Sequence, residues 1–350
     1  MLNSLYEKAI AARGSIKEYE SNVDVDKIIS EQWNNKSFDK SSEKFIIAAG
    51  DGSFNKKKFL SYNFCAVGAE SVIYDDKIKK IDDSDVFQID KISFLDELLS
   101  TYMSIYELKS ALRAINDYNV DYYMFDGSIL GDLQNPVPRG SKQPKQLNEL
   151  ISDESLITNF NLRLGKSLFG LACNEVRKNF FLNISDNKEE FDLHLASIET
   201  LIILKEILKN KEKIISISKT SSGTDLCKSN LPDIAFFDYF TEEEGVSELI
   251  KTKVSSNSYF PYFGKFFKDL DFTICYVRLE KNKNVLKLEV PYKASKNEIN
   301  EIIGKIKKLS VKGYPYLLSK AHNDVVITNK NMEELLKIAK IYDKTNREML

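Results

Sequence analysis

The sequence predicts an α/β fold in which helices flank a mixed sheet. Two apolar, strand-like runs, residues 45–50 and 120–125, are each followed by an Asp-Gly-Ser tripeptide. Between these runs lie a meander of further strands and a long helix, residues 94–115. Parallel neighbours in a sheet need a helical crossover, so this order of elements places the first and the fourth strands side by side.

The first 44 residues are predicted to precede the sheet. Residues 1–33 have helical periodicity and form a helical N-terminal extension, and the polar run 34–44 is a linker. We therefore divide the chain into an extension at 1–44 and one α/β domain at 45–350, because no later linker is long enough to separate a second domain.

The later elements follow from periodicity and turn residues. The meander has strands at 59–67 and 70–74, which Gly68 separates. Residues 131–145 hold three of the seven prolines and form an irregular basic loop. The remaining predicted elements are a helical insertion at 147–180 and 186–210, strands at 214–218, 272–279, 285–290 and 325–328, and helices at 297–309, at 315–321 and from 332 onward, the last capped by Asn331.

Size and composition indicate a folded protein without disulfides or membrane segments. The chain has 350 residues, 43% of them hydrophobic, which is enough for a large core. Its four cysteines are scattered and have no neighbouring histidines, so we expect buried free thiols rather than a zinc site or disulfides. No signal peptide is recognisable, and no apolar run approaches about 20 residues, the length that spans a bilayer. We expect a soluble, cytoplasmic protein without a membrane partner.

The net charge restricts how the protein could bind a polyanion. The 50 basic residues stand against 52 acidic ones, which gives a formal net charge of −2. Such a chain lacks the global positive field of many nucleic-acid-binding proteins. A polyanion would therefore have to be bound by a local basic patch.

The two Asp-Gly-Ser tripeptides carry the residues with the clearest chemistry. We expect Asp51 and Asp126 at the C-terminal tips of neighbouring strands, where the following glycine lets the backbone turn sharply. Two carboxylates that converge on one point repel each other, and a hard divalent cation is the usual remedy. The tripeptides therefore predict a divalent-metal site. The alternative is that each Asp-Gly pair only makes a turn.

The helix at 94–115 supplies a candidate for a third acidic ligand. Small residues at spacings of three and four form a seam along which this helix could approach the sheet, and Glu107 is the only charge in that seam. A glutamate on the buried side needs a cation or a hydrogen bond to offset its desolvation. Glu97 is the competing candidate, but it lies near the helix start, where an acid merely complements the helix dipole.

The C-terminal part of the chain contributes Tyr314 and His322. Pro315 suits the first turn of a helix, and eight positions, a little over two turns, separate Tyr314 from His322, so both can lie on broadly the same side. Imidazole can bind manganese and can act as a general acid or base. A structural role is the alternative for His322, and it is the role that we expect of His194.

Basic residues near the two tripeptides predict a local patch. Lys219 ends a predicted strand and could bind a phosphate, or it could be a solvated strand end. The other basic residues follow the tripeptides and would lie on one rim of the sheet, unless they are only solvated surface residues. They are Lys56, Lys57, Lys58, Arg139, Lys142 and Lys145.

An ordered set of short motifs resembles the NurA nuclease family, whose fold is RNase H-like. The set spans roughly residues 45–330 and follows the family's order. In one departure, Lys287 stands where an arginine is common in the family. The motifs are Gly50-Asp51-Gly52-Ser53, Tyr106-Glu107-Leu108, Phe125-Asp126-Gly127-Ser128, Ile217-Ser218-Lys219-Thr220, Tyr276-Val277-Arg278-Leu279, Leu288-Glu289-Val290-Pro291, Gly313-Tyr314-Pro315 and Ala321-His322.

The resemblance implies a metal site and an activity. Asp51, Glu107, Asp126 and His322 would bind the metal, with Tyr314 beside them as a further catalytic residue. The implied cofactor is manganese, with magnesium as the alternative, at two ions per site. The implied reaction is hydrolysis of DNA by a 5′-to-3′ exonuclease that also has single-stranded endonuclease activity. Its implied role is the resection of DNA ends in double-strand break repair and homologous recombination.

The resemblance also implies partners. Family members act on duplex and single-stranded DNA ends together with a hexameric HerA-type translocase, and they form homodimers. Two other functions stay open. One is a non-catalytic adaptor of the same fold that binds a DNA motor, and the presence of all four candidate metal ligands argues against it. The other is an RNase H-type nuclease that cuts RNA strands in RNA/DNA hybrids.

Overall fold

One large sheet organises the molecule. The computed structural model describes residues 2–13, 22–137, 155–179, 188–254 and 264–342. The strands in these ranges are β1 (Trp33–Asn35), β2 (Ile47–Lys58), β3 (Tyr62–Asp75), β4 (Lys77–Asp90), β5 (Tyr122–Asp126), β6 (Ile214–Ser218), β7 (Gly245–Ser247), β8 (Ile250–Lys253), β9 (Asp271–Arg278), β10 (Leu286–Val290), β11 (Ser310–Val311) and β12 (Tyr314–Pro315). Ten of them form a sheet in the order β1-β7-β9-β10-β6-β5-β2-β3-β4, with β8 paired to β9.

Helices cover both faces of this sheet. On one face, α3 and α7 bury side chains such as Ile105 and Ile203. On the other face, α10 and α11 bury Ile303 and Leu318. The helices in the described ranges are α1 (Asn3–Ala12), α2 (Val25–Gln32), α3 (Leu95–Asp117), α4 (Ile129–Gln134), α5 (Ser155–Lys166), α6 (Ala172–Asn179), α7 (Lys188–Ile207, followed by the 3₁₀ segment Leu208–Lys213), α8 (Asp233–Phe240), α9 (Gly264–Lys268), α10 (Lys296–Lys308), α11 (Tyr316–Val325) and α12 (Asn329–Ile338).

Five of the strands form the mixed core that the sequence predicts. β2, β3 and β4 make an antiparallel meander, whereas β2, β5 and β6 are parallel. The long helix α3 makes the crossover, and β2 and β5 are neighbours, with Ile47 opposite Tyr122 and Gly50 opposite Phe125. The core order is β4-β3-β2-β5-β6. The predicted RNase H-like mixed sheet with flanking helices is therefore confirmed.

Strand β2 corrects the expectation that Asp51 ends a strand. The pairing of β2 with β3 is unbroken from Ile47 to Lys58, so the strand runs well past Asp51. Only the pairing with β5 stops, at Gly50. Asp51 thus lies inside a long strand, at the point where one of its two neighbouring strands ends.

The glycines of the two tripeptides serve different purposes. A Cβ at Gly52 would lie 2.5 Å from Met103 Cγ on α3, and one at Gly50 would lie 2.1 Å from the Tyr123 hydroxyl. These two glycines let neighbouring groups approach β2 closely, and no turn follows Gly52. Gly127, in contrast, has a φ of +142°, a conformation that favours glycine, and it makes the predicted turn.

The meander differs from the prediction in its boundaries. The segments predicted at 59–67 and 70–74 belong to one strand, β3, and Gly68 lies within it. The third strand of the meander is β4, which hydrophobic periodicity does not reveal because most of its side chains are exposed. Asp76, with a φ of +52°, lies in the tight turn between β3 and β4.

The N-terminal segment contributes to the sheet as well as preceding it. Helices α1 and α2 agree with the predicted helical extension, but Trp33–Asn35 forms strand β1 and pairs with β7. Trp33 is buried, and its ring centroid lies 5.0 Å from that of Phe237. A Cβ at Gly245 of β7 would lie 2.5 Å from Trp33 Nε1, so the two strands meet closely there. The domain division at residue 44 stays a prediction.

The predicted helical insertion corresponds to α5, α6 and α7, as far as the structure describes it. Helix α7 packs on α3, and a buried ion pair joins them, with Lys109 Nζ 2.7 Å from Glu199 Oε1. Glu199 also accepts hydrogen bonds from the backbone N–H groups of Ala172 and Cys173 at the start of α6. One carboxylate therefore ties three helices together.

A capped helix follows α11 where a strand was expected. Among the described residues, the predicted strand at 325–328 is not formed, since α11 ends at Val325 and α12 begins at Asn329. The Thr328 hydroxyl accepts a hydrogen bond from the N–H of Asn331, and the Asn331 side chain accepts one from the N–H of Thr328. Thr328 is therefore the cap, and Asn331 completes the capping box.

Two expectations from composition concern cysteines and membrane segments. All four cysteines are buried and free, as predicted. Burial raises the pKa of Cys65 and of Cys275 to about 12, so both remain thiols. None of the helices in the described ranges has the length and apolar character needed to cross a bilayer.

Candidate active site

Asp51 and Asp126 lie side by side on neighbouring strands. They directly follow Gly50 and Phe125, which are paired across β2 and β5. Adjacent strands are about 4.8 Å apart, so the backbones of the two aspartates are close neighbours. The helical crossover predicts this proximity, and the structure contains it.

Two contacts orient the carboxylate of Asp51. Its Oδ2 accepts a hydrogen bond from His322 Nδ1 at 2.7 Å, and its Oδ1 accepts one from the N–H of Gly52 at 2.8 Å. His322 lies on α11, whose residues Leu318 and Ala321 are buried against the sheet. His322 itself is exposed, so its ring remains accessible to a ligand.

Asp126 contacts Lys219 and Tyr314. Its Oδ2 lies 3.0 Å from Lys219 Nζ and accepts a hydrogen bond of 3.1 Å from the Tyr314 hydroxyl. Lys219 Nζ is also 4.6 Å from the centroid of the Tyr314 ring. Burial, together with the charge of Asp126, raises the pKa of Tyr314. The hydroxyl therefore stays protonated and acts as the hydrogen-bond donor. Lys219 is thus paired at the site rather than being only a solvated strand end.

Glu107 lies on α3 within electrostatic reach of both aspartates. It borders a pocket of about 220 Å³ that Asp126 also lines. Burial is the main cause that raises the pKa of Glu107 well above its usual range, and repulsion from Asp51, Asp132 and Asp126 adds to it. In the described chain no side chain donates a hydrogen bond to this carboxyl group. Glu97, the competing candidate, is exposed in the first turn of α3 and does not line the pocket.

Asp132 is an acidic residue of the pocket that the sequence reasoning missed. It lies on α4, which begins directly after Ser128, the N-cap of that helix. Its side chain lines the pocket. Desolvation by the surrounding protein, followed by the charge of Glu289, raises the pKa of Asp132 to about 6. Its spacing in the sequence could have indicated this position, because Asp132 is four positions after Ser128 of the Asp-Gly-Ser tripeptide and so lies on the same side of the helix.

The donor set suits a hard divalent cation. Carboxylates of Asp51, Glu107 and Asp126 with the imidazole of His322 are ligands that manganese takes, and magnesium accepts the oxygens. Burial, and after it the charges of Asp51, Asp132 and Asp126, oppose ionisation of Glu107, and a bound cation would offset both effects. A group of three or more His, Cys, Asp or Glu side chains already at metal-binding distances is not found among the described residues. Asp51 and Asp126 instead each contact a basic side chain.

The three lysines at the end of β2 do not all lie on the same face of the sheet. Consecutive residues of a strand point to opposite faces, so Lys57 points away from Lys56 and Lys58. Lys56 is half-buried and paired with Asp96 on α3, and burial with help from Lys58 lowers its pKa. A common basic rim with the loop residues stays a prediction. Those residues, Arg139, Lys142 and Lys145, lie outside the described ranges.

His194 has the features of a structural histidine. It is buried in α7, and its Nδ1 donates a hydrogen bond of 2.6 Å to the backbone carbonyl of Glu190, one turn earlier. Burial lowers its pKa, which keeps the ring neutral. These features agree with the structural role expected from the sequence.

Comparisons with known proteins identify relatives along nearly the whole chain. A family model described as the NurA domain matches residues 45–327. The probable DNA double-strand break repair nuclease NurA of Methanocaldococcus jannaschii is 32% identical over 356 residues, which covers 96% of this chain and 88% of that protein. The DNA double-strand break repair nuclease NurA of Saccharolobus solfataricus is 27% identical over 350 residues, covering 97% of this chain and 95% of that one.

Solved structures share the fold. The crystal structure of the NurA nuclease from Sulfolobus solfataricus matches with a TM-score of 0.74 at 24% identity and covers 97% of both chains. A crystal structure of NurA with manganese matches with a TM-score of 0.69 at 16% identity, covering 98% of both chains. A crystal structure of NurA bound to dAMP and manganese has a TM-score of 0.66 at 16% identity and covers 99% of both. The mixed sheet and its flanking helices are thus the architecture of these structures.

Proposed function

This chain belongs to the NurA family, and from that premise we propose that it is a divalent-metal-dependent nuclease that hydrolyses DNA. The observation that carries the proposal is the position of Asp51 beside Asp126, with Glu107 in electrostatic reach of both. Divalent cations bound by such carboxylates are the usual means of phosphodiester hydrolysis in proteins. The names of the relatives, which are DNA repair nucleases, support the same reaction.

Asp51, Glu107, Asp126 and His322 would hold the metal. Manganese is the expected ion, with magnesium as the alternative and two ions per site as the expected number. Relatives crystallised with manganese support this choice. When bound, such ions polarise the phosphate, lower the pKa of a water molecule and stabilise the leaving oxygen.

Lys219 would bind a phosphate by leaving Asp126. Its side chain is 54% exposed, and exposed ion pairs contribute only about 0–1 kcal/mol, so the exchange costs little. Tyr314 keeps its hydrogen bond to Asp126 during this exchange and preserves the direction of the carboxylate. His322 orients Asp51 in the same manner, and its exposed ring can donate or accept a proton.

We further propose the finer activity that the sequence motifs imply. The enzyme would act on duplex and single-stranded DNA ends as a 5′-to-3′ exonuclease with single-stranded endonuclease activity. It would act in double-strand break repair in the cytoplasm, as a homodimer that works with a hexameric HerA-type translocase. A formal net charge of −2 predicts modest intrinsic affinity for DNA, so delivery of the strand by a motor would compensate for it.

A panel of nuclease assays tests the proposal. Linear duplex DNA, single-stranded DNA and an RNA/DNA hybrid are each incubated with manganese, magnesium or a chelator. We expect cleavage of both DNA substrates with a metal and none with the chelator. Asp51→Asn and Asp126→Asn should abolish cleavage without changing thermal unfolding in chelator. Asp271→Asn is the matched control, because Asp271 is also paired with lysine but belongs to β9.

The same panel separates the other functions. Cleavage of only the RNA strand of the hybrid would identify an RNase H-type enzyme. DNA binding without cleavage on any substrate would identify an adaptor. Wild-type rates in both active-site variants would refute the assigned residues.

A further inference from the structure

A row of polar side chains crosses an apolar face of the sheet beside Asp126. Glu289 of β10 stands opposite Ser216 of β6, which in turn stands opposite Phe125 of β5, so the three side chains share one face. Phe125 packs there in the large apolar cluster that includes α3 and α7. Lys287 stands opposite Ser218 on the same face. This polar row is not explained by core packing.

The small serines of β6 leave room for the long side chains of β10. Across Ser216, Glu289 Oε1 accepts a hydrogen bond of 2.7 Å from the Ser128 hydroxyl. Ser128 is the last residue of the second Asp-Gly-Ser tripeptide, and its hydroxyl also accepts a hydrogen bond from the N–H of Gly131 as the N-cap of α4. Glu289 therefore links β10 to the residue two places after Asp126.

Glu289 is a buried charge with an incomplete set of partners. It is 1% exposed, and Lys287 Nζ pairs with Oε1, the same oxygen that Ser128 contacts. Within the described ranges, Glu289 Oε2 and Ser218 Oγ have no hydrogen-bond partner. A buried ion pair of this kind is often less stable than apolar side chains of similar volume. Stability of the core therefore does not account for Glu289.

We propose that Glu289 is a positioning residue for Asp126 and that Lys287 balances its charge. This inference rests on the proposed function. The backbone N–H of Gly127 donates to the carbonyl of Ile217 at 2.9 Å, so the turn after Asp126 is tied to β6 at Gly127 and to β10 at Ser128. Together these two hydrogen bonds fix the backbone turn that follows Asp126, and with it the orientation of Asp126 at the end of β5. Loss of such an outer partner typically lowers metal affinity or activity by about 10- to 100-fold.

Glu289→Gln compared with Glu244→Gln tests the proposal. Glutamine keeps the shape of the side chain but loses the charge. Glu244 is a matched control because its carboxylate also pairs with one lysine, Lys307, and also accepts from one serine hydroxyl, that of Ser37. Glu244 precedes β7, which three strands separate from β5. Thermal unfolding in chelator checks that both variants are folded.

The primary readout is manganese binding to the DNA-free protein by calorimetry. We expect Glu289→Gln to weaken this binding, and to raise the manganese concentration for half-maximal cleavage, by about 10- to 100-fold. Glu244→Gln should change neither. Ser128→Ala removes the link from its other end and should act in the same direction as Glu289→Gln. Lys287→Arg keeps the positive charge and should retain wild-type manganese binding.

Three results would overturn the proposal. One is wild-type manganese binding in both Glu289→Gln and Ser128→Ala. Another is an equal loss in Glu244→Gln, which would indicate general destabilisation. The third is a wild-type protein that binds no manganese, because Glu289 could then not position Asp126 for metal binding. If the wild type binds manganese but cleaves no substrate, the proposed function fails, and the binding comparison still decides the role of Glu289.

Discussion

His322 Nδ1 lies 2.7 Å from Asp51 Oδ2, although 271 positions separate the two residues in the chain. The contact belongs to a series along β2. The Ser53 hydroxyl accepts from the N–H of Ile327 at 3.0 Å, and Asn55 Nδ2 donates to the Ile327 carbonyl at 2.9 Å. Residues 51, 53 and 55 alternate along the strand and share one face. The part of β2 beyond the end of β5 thus holds the C-terminal segment that carries His322.

His322→Ala should weaken metal use more than DNA binding. The substitution removes both a nitrogen ligand and the contact that orients Asp51, so we expect the manganese concentration for half-maximal cleavage to rise by about 10- to 100-fold. DNA binding, measured by fluorescence anisotropy in chelator, should stay at the wild-type level. The control is Tyr316→Ala, because Tyr316 is exposed on the same helix. An unchanged manganese dependence in His322→Ala would count against the ligand role.

Lys219→Met should reduce cleavage without reducing stability. Lys219 is half-exposed in its ion pair with the partly buried Asp126, and a pair whose lysine is so solvated contributes about 1 kcal/mol or less to the free energy of unfolding. Its proposed partner in catalysis is a phosphate, so we expect cleavage to fall by at least about 10-fold. Lys253→Met is the matched control, because Lys253 is similarly exposed and pairs with Asp271. Cleavage at the wild-type rate by Lys219→Met would mean that this lysine only neutralises Asp126.

The parts of the candidate site that could be predicted from the sequence are those whose positions follow from the order of the strands and helices. Asp51 and Asp126 follow two apolar runs joined through a helix, and a helical crossover makes such strands parallel neighbours. The position of Glu107 near both aspartates was predictable because it is the only charge in a seam of small residues along which this helix could approach the sheet. Its role as a metal ligand stays a prediction. These inferences use only local pattern and a general rule of connection.

The parts that were not predictable depend on contacts between distant elements. The side chain of Met103 explains Gly52, but nothing near Gly52 in the sequence reveals how closely α3 approaches. Glu289 reaches Ser128 only because β10 joins the sheet next to β6, a pairing that has no local signature. Strand β4 was missed for another reason, since an edge strand with polar, exposed side chains lacks the alternation on which strand prediction relies.

Gly50→Ala should destabilise the protein through one specific clash. The new Cβ would lie 2.1 Å from the buried hydroxyl of Tyr123, and overpacking of this kind costs about 1–3 kcal/mol. Tyr123→Phe removes that hydroxyl, so Gly50→Ala should cost less in the Tyr123→Phe background by about 0.5 kcal/mol or more. The free energies of unfolding come from urea titrations.

A second glycine provides the control for this cycle. Gly165 lies in α5, and a Cβ at this position would meet no atom of the described residues within 4 Å, so Gly165→Ala should cause no loss of stability. Additive effects of Gly50→Ala and Tyr123→Phe would show that the clash lies elsewhere, for example with the Ser71 hydroxyl at 3.1 Å or the Glu70 carbonyl at 3.2 Å.

Glu107→Gln should stabilise the metal-free protein at pH 8, and by less at pH 5. Burial and the neighbouring aspartates raise the pKa of Glu107 in the folded state above its unfolded value of about 4.3. The stability that such a group contributes is present below the unfolded pKa and is lost as pH rises through the folded pKa, so at pH 8 the wild type carries a penalty that glutamine lacks. Thermal unfolding in chelator at both pH values measures this difference. With manganese at pH 8, the wild type should become more stable than the variant. An ion present at a concentration of 100 times its Kd stabilises the wild type by about 2.7 kcal/mol, and it binds the variant less well. A variant that is less stable than the wild type in chelator at pH 8 would contradict the raised pKa of Glu107 in the folded protein.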